Sequence, residues 1–174
     1  MRRAYGRSGS SVSIASPSHY AAAKAAGARK ITVVEPVDSK RKLALHLGAS
    51  RAVAPGDPVV EQAFTTCFDI VMKQPTVDLA ETACMAGGRI VFVGTAFGRL
   101  EFNFPRLQRY ELTVCGSSIY KGEDIDQALQ LLHGRQFDAE AFITTDTTLG
   151  RAVAAYVDAG RPDNVKTVID MQER

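Results

Sequence analysis

Apolar residues along this chain come in short continuous runs, and the stretches between them carry helical spacing. The first clear run, Ile31 to Val34, ends on Glu35. After a short turn it gives way to Ser39–Leu47, where Leu43, Ala44 and Leu47 share one face and Lys40, Arg41 and Lys42 crowd the start. Further strands are predicted at Ala52–Ala54, Phe68–Met72 (FDIVM), Arg89–Gly94 (RIVFVG), Leu112–Ser117 (LTVCGS) and Val165–Asp170 (VKTVID). Helices are predicted over Val77–Ala86, Glu123–Leu132 and Leu149–Ala159, the first closed by Gly87 and Gly88 and the last introduced by Thr147 and Thr148. An all-β sandwich would show alternation. Runs buried on both faces, joined by helical crossovers, predict a doubly wound parallel sheet with helices on both sides.

Such sheets bind ligands beyond the carboxyl ends of their strands. That rule marks Glu35, then Lys73 and Gln74, then Gly94 and Thr95, then Cys115 and Gly116. An acid closing the second strand of a dinucleotide-binding sheet accepts hydrogen bonds from the adenosine ribose, and it disfavours a 2'-phosphate. Gly94 would let a flat ligand approach the backbone, or it simply ends the strand in a turn. The preceding segment, SGSSVSIASPSHYAAAK, lacks the expected GxGxxG. Val12–Ala15 is a weak candidate for a first strand, and Ser16, Pro17 and Ser18 stand where glycines would bring backbone N–H groups to a pyrophosphate.

With 174 residues and 45% hydrophobic content the chain is expected to form one domain. Chains of this size bury roughly 70% of their unfolded surface. The net charge of +2 comes from scattered Lys and Arg, which argues against a nucleic-acid partner. No apolar run approaches the ~20 residues of a membrane helix, and the N-terminus has no signal-like core, so a cytoplasmic location is expected. The three cysteines, Cys67, Cys84 and Cys115, show no metal-ligand spacing and read as buried reduced thiols. Tyr20 and Lys24 form a YxxxK, but the alanines around them read as a plain helix, Ala21–Ala26, ended by Gly27. His19, His46 and His133 stand in no nucleophilic arrangement.

From about Ala21 to Asp170 the order of motifs resembles the cofactor-binding half of the medium-chain dehydrogenase/reductases, the zinc-dependent alcohol and polyol dehydrogenase group. The matching stretches are AAKAAGARKITVVEPVDSKRKLALHLGAS, FDIVM, GGRIVFVG, YELTVCGSSIY and VKTVID. The resemblance implies a Rossmann-like fold whose first strand and glycine turn are degenerate or missing. Residues 1–20 are then expected to be a poorly ordered or degenerate segment and 21–174 the dinucleotide-binding domain. It implies NAD as cofactor, with Glu35 and Lys40 on the adenosine ribose, and Lys40 and Arg41 leave NADP open. Backbone groups of Val93, Thr113 and Cys115, beside Gly94 and Thr95, would face the nicotinamide, and Lys166 the pyrophosphate. Read without the resemblance, Lys40 and Lys166 are solvated lysines.

Relatives also carry a catalytic domain with zinc ligands, for which there is no room here, and the loop at Lys73, Gln74 and Pro75 looks shortened. The chain is therefore expected to be a cofactor-domain fragment of an NAD(P)-dependent oxidoreductase, inactive alone and partnered by a separate catalytic domain. A homo-oligomer through an edge strand at Arg99–Phe104 (RLEFNF) is the other expected assembly. The alternative function is a non-catalytic nucleotide-binding or dimerisation module.

Overall fold

The computed structural model describes the backbone of residues 10–14 and the full residues 23–24, 26–134 and 138–171. Ser16, Pro17, Ser18, His19 and Tyr20 lie outside the described residues. In chain order the elements are β1 (Ser10–Ile14), β2 (Lys30–Val34), α1 (Asp38–His46), β3 (Arg51–Val53), β4 (Phe64–Asp69), α2 (Gln74–Ala83) and β5 (Cys84–Phe92). There follow α3 (Phe104–Arg109), β6 (Thr113–Gly116), α4 (Gly122–His133), β7 (Ile143–Thr148), α5 (Ala152–Asp158) and β8 (Lys166–Asp170).

Six strands form one parallel sheet in the order β3-β2-β1-β4-β5-β6. This is the order of a doubly wound dinucleotide-binding sheet, with the connections reversing direction between β1 and β4. The first strand is present: β1 lies at the centre, pairing with β2 from Ser10↔Lys30 to Ile14↔Val34 and with β4 from Ser11↔Thr66 to Ile14↔Asp69. It overlaps the weak candidate Val12–Ala15, within the segment 1–20. A strand built largely of serine gives a weak apolar signal, and its neighbours on both sides supply the ladder that propensity does not.

Strand β2 shows why the apolar runs are continuous. Ile31 and Val33 join one core cluster with Ala44, Leu47 and Ala49, whereas Val34 joins the other with Val53, Phe64, Cys67, Ala80, Ala83, Cys84, Ile90 and Leu112. Successive side chains point to opposite faces, and here both faces are covered.

Four sequence expectations are corrected. FDIVM is not a strand as a unit, because β4 ends at Asp69, whose Oδ1 accepts hydrogen bonds from Val71 N and Met72 N, both at 2.9 Å, and turns the chain. Gly87 and Gly88 do not cap the helix before them: α2 ends at Ala83, and Cys84 is already extended at φ −70°, ψ 130°. The last carbonyls of α2 are taken by other groups. Gln62 N and Ala63 N donate to Thr82 O and Ala83 O, and Arg106 Nε donates to Glu81 O at 2.8 Å. VKTVID forms β8, yet it pairs with β7 in a separate two-stranded parallel sheet that meets the main body where Ala141 and Phe142 pack on the Ile31–Val33 cluster.

The fourth correction concerns Arg99–Phe104, which is not a strand. The Gln74 side-chain amide pairs with the backbone of Glu101 (Nε2 to O 3.0 Å, N to Oε1 2.8 Å), Phe102 packs edge-on against Phe92, and Asn103 caps α3. Side chains of α2 occupy the groups that an edge strand would offer to a partner.

Glu81, buried on α2, accepts a hydrogen bond from Asn103 N at 2.7 Å. Burial pushes its carboxyl above the usual range, and this outweighs the opposing Asn103 hydrogen bond. A folded-state pKa raised above the unfolded value contributes stability that is present below the unfolded pKa and lost as pH rises through the folded one. Glu81→Gln keeps the acceptor without the charge. The variant is expected to melt higher than wild type at pH 7 and to lose that advantage below the carboxylate range. Equal melting curves at every pH from 4 to 8 would refute the assignment.

Candidate nucleotide site at the carboxyl ends of the strands

Glu35 directly follows β2, where the parallel ladder ends and backbone groups would otherwise be left open. Its N–H donates to Val53 O at 3.0 Å, which ties it to β3, and its Oε1 accepts the Val37 N–H at 2.9 Å. The residue is only 5% exposed. Among the described residues nothing donates to its second oxygen.

A cavity of about 400 Å³ opens beside this carboxylate, between the ends of β2, β3 and β4 and the start of α2. Its walls are mostly apolar: Val34, Val59, Val71 and Leu79, with Pro36, Pro55 and Pro75, and with Gly56 at the loop after β3. Three polar residues line it, Glu35, Asp57 and Thr76. Asp57 Oδ2 accepts the Ala54 N–H at 2.8 Å, and the Thr76 hydroxyl donates to Asp69 Oδ2 at 2.8 Å. Apolar walls with two carboxylates held by backbone N–H groups suit a flat heterocycle bearing a vicinal diol.

The basic residues near Glu35 are turned to structural work. Arg41 Nη1 donates to the carbonyls of Glu35 and Pro36 at 2.8 and 2.7 Å, and its Nη2 pairs with Asp38 at 3.0 Å. Lys42, 2.7 Å from Asp38, holds that carboxyl below its usual range, with Arg41 adding to the effect. Lys40 lies half-buried on α1 and does not line the cavity.

The remaining sequence-marked residues do not converge on this cavity. Val93 and Gly94 follow β5 and donate their N–H groups to Asp69 O at 2.8 and 3.2 Å. Thr95 is exposed beyond them. Cys115 pairs with Val91 near the carboxyl end of β6, and its thiol faces Ile90 O at 3.8 Å. Thr113 pairs with Arg89, at the amino end of the strand and away from the ligand edge. Lys166 stands on β8 in the second sheet. Lys73 caps α2, and Gln74 is bound to Glu101.

Sequence reasoning missed Asp69, Asp57 and Thr76. Asp69 carries the same signal that exposed Glu35, an acid at the end of a buried strand, but the apolar residues on its far side disguised it as mid-strand.

Zinc does not fit the described residues. No three His, Cys, Asp or Glu side chains among them group as ligands. Cys67 and Cys84 hydrogen-bond to each other inside the core, a contact that, with burial, pushes the Cys67 thiol up and lowers that of Cys84. His133 Nδ1 is bound to Leu129 O, and His46 faces Asp138 at 3.8 Å on the surface. No helix among the described residues is long and apolar enough to cross a membrane.

The protein family described as zinc-binding dehydrogenase matches residues 19–134. The D-xylulose reductase of Scheffersomyces stipitis is 31% identical over 172 residues, covering 88% of this chain and 47% of the reductase. The chain spans about half the length of the curated relatives it matches. Among solved structures, the L-idonate 5-dehydrogenase of Escherichia coli superposes with a TM-score of 0.85 at 19% identity, over 93% of this chain and 49% of that one. A short chain alcohol dehydrogenase of Escherichia coli CFT073 complexed with NADH gives 0.84 at 14% identity, over 94% and 52%.

Proposed function

The chain belongs to the zinc-binding dehydrogenase family, and from that premise we propose that it is the nucleotide-binding half of an oxidoreductase that moves hydride between nicotinamide and an alcohol or carbonyl. The observation that carries this reading is the buried carboxylate of Glu35, fixed by Val37 N–H at the wall of the cavity that closes the β2 end of the sheet. Its second oxygen, to which no described residue donates, can accept from a ribose hydroxyl, while Val34, Pro36, Val71 and Leu79 offer walls to the adenine.

NAD is the cofactor we infer. A 2'-phosphate would bring negative charge against Glu35, and Arg41, the nearest strong cation, is spent on carbonyls and Asp38. These 174 residues by themselves do not turn over an alcohol in this reading. Hydride transfer needs a polarised substrate oxygen beside the nicotinamide. The described cysteines and histidines are engaged in the core or spread over the surface and do not assemble such a centre.

The test is a calorimetric titration of the purified chain with NADH and NADPH, repeated with Glu35→Ala, alongside an assay for polyol-dependent NAD reduction. A charge-assisted ribose contact is worth ~1.5–3 kcal/mol, so the variant is expected to bind NADH about 10- to 100-fold more weakly. Unchanged binding in the variant, or NADPH bound as tightly as NADH, would overturn the role given to Glu35. Reduction of NAD by any simple polyol would overturn the assignment of the chain as half an enzyme.

A further inference from the structure

We propose that Cys67 and Cys84 form an oxidisable dithiol, a modification site at which hydrogen peroxide closes a disulfide between β4 and the start of β5. Neither residue lines the cavity at Glu35, so the site stands apart from the nucleotide reading.

An irregularity in the sheet brings the two thiols together. The ladder between β4 and β5 pairs Phe64 with Cys84 and next Thr66 with Arg89, so residues 85–88 stand opposite the single residue Thr65 and bulge. Gly87 takes a φ of 72° in this bulge, and the sulfur of Cys84 is folded back against it, where a Cβ on Gly88 would meet Sγ at 2.6 Å. Both cysteines belong to one core cluster, Cys67 with 0% and Cys84 with 1% exposure, and their thiols are hydrogen-bonded to each other.

A buried cysteine that only packs behaves as a small apolar residue and has no use for a cation. Here one is present. Arg106 reaches from α3 to the end of α2, donating from Nε to Glu81 O at 2.8 Å and from Nη2 to Thr82 O at 3.2 Å, and its charge is felt at Cys84. The hydrogen bond from Cys67, with Arg106 adding to it, holds the Cys84 thiol below its usual range against the effect of burial, while that contact and burial keep Cys67 protonated. One activated thiol beside one protonated thiol is the arrangement of an attacking and a resolving cysteine. Access follows from the bulge, which carries the exposed residues Ala86 and Gly87 and interrupts the ladder. Opening it locally uncovers Cys84 to a molecule as small as peroxide while β4 stays paired with β1.

The chemistry balances in two displacements. Cys84 gives up its proton and its sulfur attacks one peroxide oxygen; the O–O bond breaks, and the departing hydroxide takes that proton and leaves as water. The sulfur of Cys67 then attacks the Cys84 sulfenic acid; the S–O bond breaks, the S–S bond forms, and a second water carries away the Cys67 proton. Two thiols are oxidised to one disulfide, and one peroxide is reduced to two waters.

The experiment exposes the full chain, reduced and then freed of reductant, to hydrogen peroxide, after which it is quenched, unfolded and labelled with N-ethylmaleimide for mass analysis of the intact chain and its peptides. Of the three cysteines, all are expected to take the label before oxidation and one after it, with a linked peptide joining Cys67 to Cys84. Dithiothreitol should restore all three labels. Cys115→Ser removes a thiol outside the pair and should go from two labels to none, whereas in Cys67→Ser the Cys84 sulfur should stall as a sulfenic acid that dimedone traps. Three labels after oxidation, loss of label at Cys115 only, or a link that forms only in urea would each overturn the proposal. So would loss of label that dithiothreitol does not reverse, which would mean oxidation past the disulfide stage. Wild type and Cys115→Ser decide the matter even if a serine at position 67 unfolds the chain.

Discussion

Replacing Asp69 by alanine is expected to destabilise the protein by about 3–5 kcal/mol, lowering the melting temperature by roughly 10 °C for a chain of this size. The side chain has no exposed surface and serves three donors: Val71 N and Met72 N at 2.9 Å and the Thr76 hydroxyl at 2.8 Å. Its backbone carbonyl accepts from Val93 N and Gly94 N, so the same residue joins the end of β4 to the end of β5 and to the start of α2. Alanine leaves the turn donors without an acceptor in a place that water does not reach, and an unmade buried hydrogen bond costs more than a made one contributes. Asparagine separates the parts of this effect. Its carbonyl can still serve Val71 and Met72, but its amide cannot accept from Thr76, so Asp69→Asn should cost about 1–2 kcal/mol. Chemical denaturation of wild type and both variants decides the matter. Equal loss in the two would mean that the turn depends on charge and not on the three-way acceptor geometry, and no loss in alanine would mean that Asp69 does not hold the turn.

The second large effect is expected at Gly94. Its backbone lies outside the left-handed region, so what requires glycine is space. An added Cβ would sit 2.5 Å from Ile70 O and 2.6 Å from Ile70 C, which are main-chain atoms and cannot move without disturbing the Asp69 turn. Overpacking against backbone in a close-packed interior costs about 3 kcal/mol. Gly98 is the matched control, because its φ is +99° and nothing lies within 4 Å of a Cβ built there. Alanine at Gly98 should cost only the conformational strain of about 1–2 kcal/mol. If Gly94→Ala proves no worse than Gly98→Ala, the close approach of the turn to β5 is not as the structure has it.

Much of the fold is legible in the chain because both faces of the sheet are covered. Strands such as Ile31–Val34 and the Ile90 region read as unbroken apolar runs, and the intervening helices keep their own spacing, so element type and order follow from pattern alone. Glu35 is legible for a related reason: a lone acid that ends a buried run has to be explained. Strand β1 is nearly silent, because serines give it neither apolar character nor β-propensity, and only its two neighbours make it a strand. The Phe68–Met72 run misleads in the opposite sense. Ile70, Val71 and Met72 are apolar because they are half-buried in a turn under the end of β5, and burial in a turn leaves the same hydropathy trace as burial in a strand. Gly87 and Gly88 resemble a helix cap, yet they lie within β5, where Gly87 takes a φ of 72° and Gly88 permits a tight passage of backbone, since a Cβ on it would meet Met85 O at 2.7 Å.

Sequence by itself determined the class of fold, the family, and the acid at the end of the second strand, since each depends on local pattern or on motifs kept in order along the chain. Tertiary structure decided what those motifs do together. It brought Glu35, Asp57 and Thr76, which are distant in the chain, to the wall of one cavity, and it carried Lys166 into a separate sheet and Thr113 to the far end of its strand. It also folded the Ile70–Met72 turn over Gly94. The physical reason is that a cavity is made by the ends of several elements at once. Where each strand stops is set by hydrogen bonds between residues far apart, such as those converging on Asp69, which leave no periodic mark in the sequence.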